Sequence, residues 1–175
     1  MAYSWSAMRK CLEQDYICDT LKGRVKYFAT RYRESHDNEG RVAIRIDGKE
    51  VYKSCWFNWD EKRNQAWREF NRDLGRNAGY LEASEAIELG AIIKGGFDQF
   101  LFYDAFFEYH NQSIEKSLES KNPIVRLFAI FDKRVGKRTL QKCSSDVENQ
   151  PEWLQPFYRL RIEAEGMGMP QASSV

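Results

Sequence analysis

From Arg41 to Gly48 the chain reads R-V-A-I-R-I-D-G, and no other stretch constrains its fold as tightly. Val42, Ile44 and Ile46 fall on one side of an extended backbone, and Arg41, Ala43 and Arg45 on the other. This is the period-two pattern of a strand with one covered face. Asp47-Gly48 then supplies the positive-φ positions that a tight primed hairpin turn needs. A strand ending in such a turn pairs with the next extended segment, and Glu50 to Phe57 provides that partner. Upstream, Gly23 to Arg33 is rich in Val, Tyr, Phe and Thr and reads as a further strand, separated by the polar loop 34–40. The three strands form an antiparallel meander.

Helical patterns surround the meander. Trp5, Met8, Leu12 and Tyr16 recur at spacings of three and four, which predicts a helix that starts at a Ser4 or Ser6 cap and ends at Gly23. Asn58 or Asp60 caps a second helix that buries Trp59, Ala66, Trp67, Phe70 and Leu74 and stops at Gly75. Later residues read as helices over Leu81 to Leu89, over Phe97 to Tyr109 (apolar on most sides, hence central), around Ile114 and Leu118, and from Asn122-Pro123 to Gly136. A last helix runs from Pro151 to Glu165, with Pro156 disturbing its first turns. The expected fold class is α+β: a three-stranded antiparallel meander flanked by helices (α-β-β-β-α), followed by a helical C-terminal half. Residues 1–166 are expected to form a single domain with a soft internal boundary near 75–79, between a 1–74 part and an 80–166 part. Residues 167–175 read as a disordered tail.

With 175 residues, 42% of them hydrophobic and 14% aromatic, the chain can build an aromatic core without cross-links. No pair of its four cysteines has disulfide or metal-ligand spacing, so free thiols are expected. With no export signal and no apolar run long enough for a bilayer, a cytoplasmic setting and no membrane partner are expected. The formal net charge of +1 excludes a global field that would draw the chain to nucleic acid. Charge is nevertheless patchy. Residues 22–53 carry nine Lys/Arg against five Asp/Glu and residues 122–142 six against one, whereas residues 76–121 carry four against eight.

Two resemblances add to this reading. The helix–three strands–helix order of residues 4–74, with its R-V-A-I-R-I-D-G strand and turn, resembles the double-stranded-RNA-binding domain in topology. That family holds phosphates with a lysine-rich turn at the start of its second helix. Here the corresponding residues are Asn58-Trp59-Asp60-Glu61-Lys62-Arg63, where two carboxylates offset two cations. Across nearly the whole chain, L-K-G-R-V (21–25), T-R-Y-R-E-S-H-D-N-E-G-R (30–41), D-K-R-V-G-K-R (132–138) and R-L-R-I-E-A-E-G (159–166) are similar to a family of functionally uncharacterised bacterial proteins. That resemblance implies a bacterial, cytoplasmic setting and carries over no activity, cofactor or site residue.

Four constellations carry chemistry. His36 lies among Glu34, Asp37 and Glu39, an arrangement that favours the charged imidazole and suits acid–base work or metal binding, or forms a solvated loop. Asp104 and Glu108, four apart on one helix face among aromatics, form either a raised-pKa carboxylate pair for a hydrolase or nuclease, or the polar stripe of a buried helix. Lys133, Arg134, Lys137 and Arg138 crowd a helix end. They pair with its negative dipole or bind an anionic partner. Arg31 and Arg33 share one strand face, and Arg41 and Arg45 share another. They suit carboxylate or phosphate recognition, or form the solvent face of a half-covered sheet. No phosphate loop, dinucleotide fingerprint, serine elbow or metalloprotease motif is present, so no cofactor and no metal site is expected. The expectation is a non-catalytic binding or accessory module whose basic patches engage another macromolecule, with an acidic protein surface or RNA as the partner. RNA binding is the alternative, and a hydrolase or nuclease using Asp104 and Glu108 the next.

Overall fold

A computed structural model describes residues 3–31 and 40–168. Residues 169–175, most of the expected tail, lie outside the described residues. The chain is α+β: an N-terminal helix, a three-stranded antiparallel sheet, then helices through most of the C-terminal half. Strands β1 (Val25–Arg31), β2 (Gly40–Ile46) and β3 (Lys49–Cys55) lie in the order β1-β2-β3. Asp47 and Gly48 both take positive φ, 51° and 81°, so the hairpin closes on the two residues that its sequence signature names. Arg24 clamps that turn with a two-pronged hydrogen bond to Asp47, both contacts 2.9 Å.

The sheet's inner face is built from Val25, Tyr27, Val42 and Ile44, all buried. It packs on the central helix α4 (Gln99–His110) and on α6 (Pro123–Ile130). Aromatic rings fill that layer: Tyr27 meets Phe102 at 5.7 Å and Phe128 at 5.8 Å, and Phe102 meets Phe128 edge-on at 5.0 Å. The helix order of a double-stranded-RNA-binding domain is therefore present, but the sheet leans on the C-terminal helices. Helix α2 (Trp56–Leu74) packs instead chiefly against α3 (Tyr80–Ile93). One continuous core runs from Met8 to Ile162, and a small satellite of Ala66, Ala78, Ala83 and Ile87 sits between α2 and α3.

Several elements depart from the pattern in the sequence, each for a tertiary reason. The first helix, α1 (Trp5–Lys10), passes into a wider π turn at Cys11–Asp15 and ends there rather than at Gly23. Beyond it the backbone pairs with another segment: Cys18 N–H donates to the Phe131 carbonyl at 2.8 Å, and Lys133 N–H to that of Tyr16 at 2.7 Å. The π turn carries Glu13, a buried carboxylate that accepts the Tyr27 N–H at 2.7 Å, Lys26 at 3.2 Å and Arg9 at 3.3 Å. Helix α2 is capped by Cys55 with Asn58 folding back, not by Asn58 or Asp60 as the cap residue. Of its expected buried side only Ala66 is buried. Trp67 and Phe70 are half-buried and Leu74 is 43% exposed, because α3 covers only part of that face. The two helices approach closely at Gly90, where a Cβ would stand 2.8 Å from that of Ala66.

Helix α6 starts at the expected Asn122 cap and Pro123 but ends at Ile130, not Gly136. Buried Arg161, from helix α8 (Gln155–Ala164), donates to the Ile130 carbonyl at 3.1 Å and the Val135 carbonyl at 3.2 Å. The first bond satisfies an acceptor that the helix end leaves open, and the second holds the connection that follows. A separate helix, α7 (Lys137–Ser145), comes next. Its polar sequence carries only Leu140 and Ser144 as buried residues, so no apolar stripe announced it. Helix α5 (Ile114–Leu118) lies where its two apolar residues place it. Pro156 falls in the first turn of α8, which is shorter than the expected Pro151–Glu165 helix. All four cysteines are free.

Candidate functional site

The basic segment 132–138 divides into two parts. Asp132 is fully buried. Its carboxylate accepts the Tyr109 hydroxyl, the Arg134 N–H at 2.7 Å and the Arg134 guanidinium at 2.7 and 3.1 Å. The guanidinium also lies over the Tyr16 ring at 5.5 Å. Its hydrogen bonds to Asp132 raise the Arg134 pKa, although partial burial opposes this. Arg134 is thus the counterion of a buried carboxylate. Lys133, Lys137 and Arg138 are exposed and make no ion pair among the described residues. Because α6 ends early, Lys137 and Arg138 occupy the first turn of α7, behind a Gly136 cap that offers no side chain and with no acidic residue in that turn. The expected pairing with a helix C-terminus is therefore reversed at these two residues: they face the positive end of a dipole, where cations are disfavoured.

The strand arginines are held in contacts of their own. Arg41 and Arg45 flank the Phe28 ring on the outer sheet face, at 5.3 and 5.2 Å, and share one carboxylate. Glu50 takes a fork from Arg41 at 3.1 and 3.2 Å and lies 3.6 Å from Arg45. Arg31 projects to the opposite face, over Phe100 at 4.9 Å. Arg33 and His36, with Glu34, Asp37 and Glu39, lie outside the described residues.

Asp104 and Glu108 sit on the exposed side of α4 rather than within the core. They line a groove of about 430 Å³ between α3, α4 and the α5–α6 connection, together with Glu85, Glu88 and Lys121, over a floor of Leu89, Ile92 and Leu101. Burial pushes the Asp104 carboxyl above its ordinary value. Glu88 is raised by burial first and then by Asp104 and Asp98. Glu108 accepts the Ser120 hydroxyl, and Ser120 accepts the Asn122 N–H at 3.1 Å, which ties that serine into the cap of α6. No group of three or more metal-ligating side chains exists among the described residues. The groove thus holds two carboxyls raised by burial, Glu88 and Asp104, beside the hydrogen-bonded Glu108–Ser120 pair.

One cluster left no trace in the sequence. The His110 ring lies between two tyrosines: Nε2 is 3.0 Å from the Tyr3 hydroxyl and Nδ1 2.9 Å from that of Tyr16. The ring also stacks on Phe106. Its partners are 94 and 107 residues away along the chain, beyond any spacing rule. Both ring nitrogens are engaged, and the cluster fastens α1 to the end of α4.

A family model spans both halves of this architecture, matching residues 4–162. The chain belongs to the SF0329 protein family. The match runs from α1 into α8 and so takes in the sheet, the acidic groove and the basic segment alike. It bears out the likeness to an uncharacterised family and assigns none of these surfaces a role. No curated protein and no solved structure matches the chain. Among the described residues no helix is long and apolar enough to cross a membrane.

Proposed function

We propose that this chain is a non-catalytic binding module that engages an acidic surface of a partner protein through Lys133, Lys137 and Arg138. One observation carries this reading. These three side chains are exposed without ion pairs among the described residues, and two of them stand at the positive end of α7, where the helix dipole opposes them and only Lys137 has a carboxylate, Glu165, within electrostatic reach. No carboxylate in the first turn of α7 calls for positive charge there. An anionic partner surface would compensate it, and charge complementarity of this kind sets association rate and specificity. Arg134, held by Asp132, gives the segment a fixed backbone from which the three project.

An acidic protein surface fits better than RNA. Arg134 is committed to Asp132, and Arg41 and Arg45 share Glu50, so three of the arginines are drawn away from phosphate binding by carboxylates of the chain itself. Double-stranded-RNA-binding domains need contacts across two successive minor grooves. The experiment is a pull-down from the native host with wild type and with a Lys133→Gln, Lys137→Gln, Arg138→Gln variant, each with and without nuclease. The expected result is a partner protein that survives nuclease and is lost with the variant. Loss on nuclease treatment would transfer the surface to RNA, and equal recovery with the variant would remove the proposal. The variant should melt within about 1 kcal/mol of wild type, since exposed charges contribute little.

A further inference from the structure

The groove between α3 and α4 combines an apolar floor with a mostly acidic rim. Leu89, Ile92 and Leu101 lie beneath Glu85, Glu88, Asp104 and Glu108, and Lys121 is the one cation in the lining among the described residues. The depression does not stop there. At Leu89 and Lys121 it meets a second hollow of about 380 Å³ that runs on past Ile93 to Pro151. Apolar surface continues along α3 in both directions, with Leu81 89% and Ile93 45% exposed.

We propose that this groove docks a basic amphipathic segment of a partner protein, its apolar side chains on Leu89 and Leu101 and its Lys or Arg side chains against Glu88, Asp104 and Glu108. Charge complementarity selects the occupant. None of the rim carboxylates forms an ion pair among the described residues. An anionic ligand would meet four like charges. A purely apolar one would strip water from carboxylates without pairing them, which costs more than it gains. A segment alternating cations with Leu- or Ile-like side chains satisfies rim and floor together, in the manner of amphipathic segments that lie in grooves. Burial already works against the charged forms of Glu88 and Asp104, and a cation beside them would relieve that. The site is separate from the α6–α7 surface and stands or falls independently of it.

The test is random-peptide display against the full chain. The best enriched peptide is then measured by fluorescence anisotropy against wild type and a Glu88→Gln, Asp104→Asn, Glu108→Gln variant whose fold is checked by circular dichroism. The enriched peptides should carry Lys or Arg beside Leu, Ile or Phe, and the variant should bind at least tenfold more weakly. Replacing the peptide's apolar residues by Ser should abolish binding in wild type. Enrichment of acidic peptides, equal affinity for the variant, or indifference to the Ser replacements would each overturn the proposal. So would sedimentation showing self-association that the variant abolishes, since the occupant would then be a second copy of the chain.

Discussion

Asp104 shows how far a single side chain can be read. Its spacing from Glu108 gives a shared helix face, but not which way that face turns. The structure turns it outward, beside Glu88 and Asp98, and burial raises all three carboxyls. A carboxyl raised in the folded state binds protons more tightly there than in the unfolded chain, so its unfavourable contribution at neutral pH fades as pH falls toward ~4. Asp104→Asn should therefore stabilise the protein at pH 7, by up to ~0.5 kcal/mol after solvent screening. Its advantage should shrink as pH falls. Thermal melts from mildly acidic to neutral pH check this, and a variant less stable at pH 7 would mean that Asp104 has a favourable partner. Acids lowered by pairing, such as Asp47 with Arg24, act in the opposite sense and in a lower window, losing their contribution as pH drops below the ordinary carboxyl value. Arg134 was equally hard to read. Sequence counts it among four cations, whereas Asp132, two residues away, withdraws it.

At the scale of elements, legibility tracks how local the determining interaction is. The β2–β3 hairpin was readable because Asp47-Gly48 fixes its own turn, and α6 began where Asn122-Pro123 said it would. Helix ends set by distant residues were not readable. Arg161 terminates α6 from 31 residues away, and the pairing of Cys18 with Phe131 stops the first helix. Helix α7 carries too few apolar residues to announce itself. The packing of α2 on α3 gives a sharp test at Gly90. A β-branched residue there must displace the Ala66 contact, so Gly90→Val should destabilise by ~1–3 kcal/mol through overpacking. Urea unfolding measures it, and a neutral result would mean that the α2–α3 hairpin yields freely.

Across the whole molecule, the aromatic excess in the composition became the link between the two halves. Phe97, Phe102, Phe128 and Phe131 are all buried, and Trp153 from the C-terminal region stacks on Tyr52 of the sheet at 5.0 Å. Phe131, edge-on to Phe157 at 6.1 Å, should cost ~3–5 kcal/mol when cut to Ala, read by denaturant unfolding; under about 1 kcal/mol would place it outside the core. The proposed partner surface consists of exposed Lys133, just before α7, and Lys137 and Arg138 in its first turn. The most direct measurement is the affinity of the recovered partner for wild type and for the Lys133→Gln, Lys137→Gln, Arg138→Gln variant at low and high salt. The account predicts roughly tenfold or greater weakening at low salt and a much flatter salt dependence for the variant. Equal affinity and equal salt response for the two proteins would contradict it.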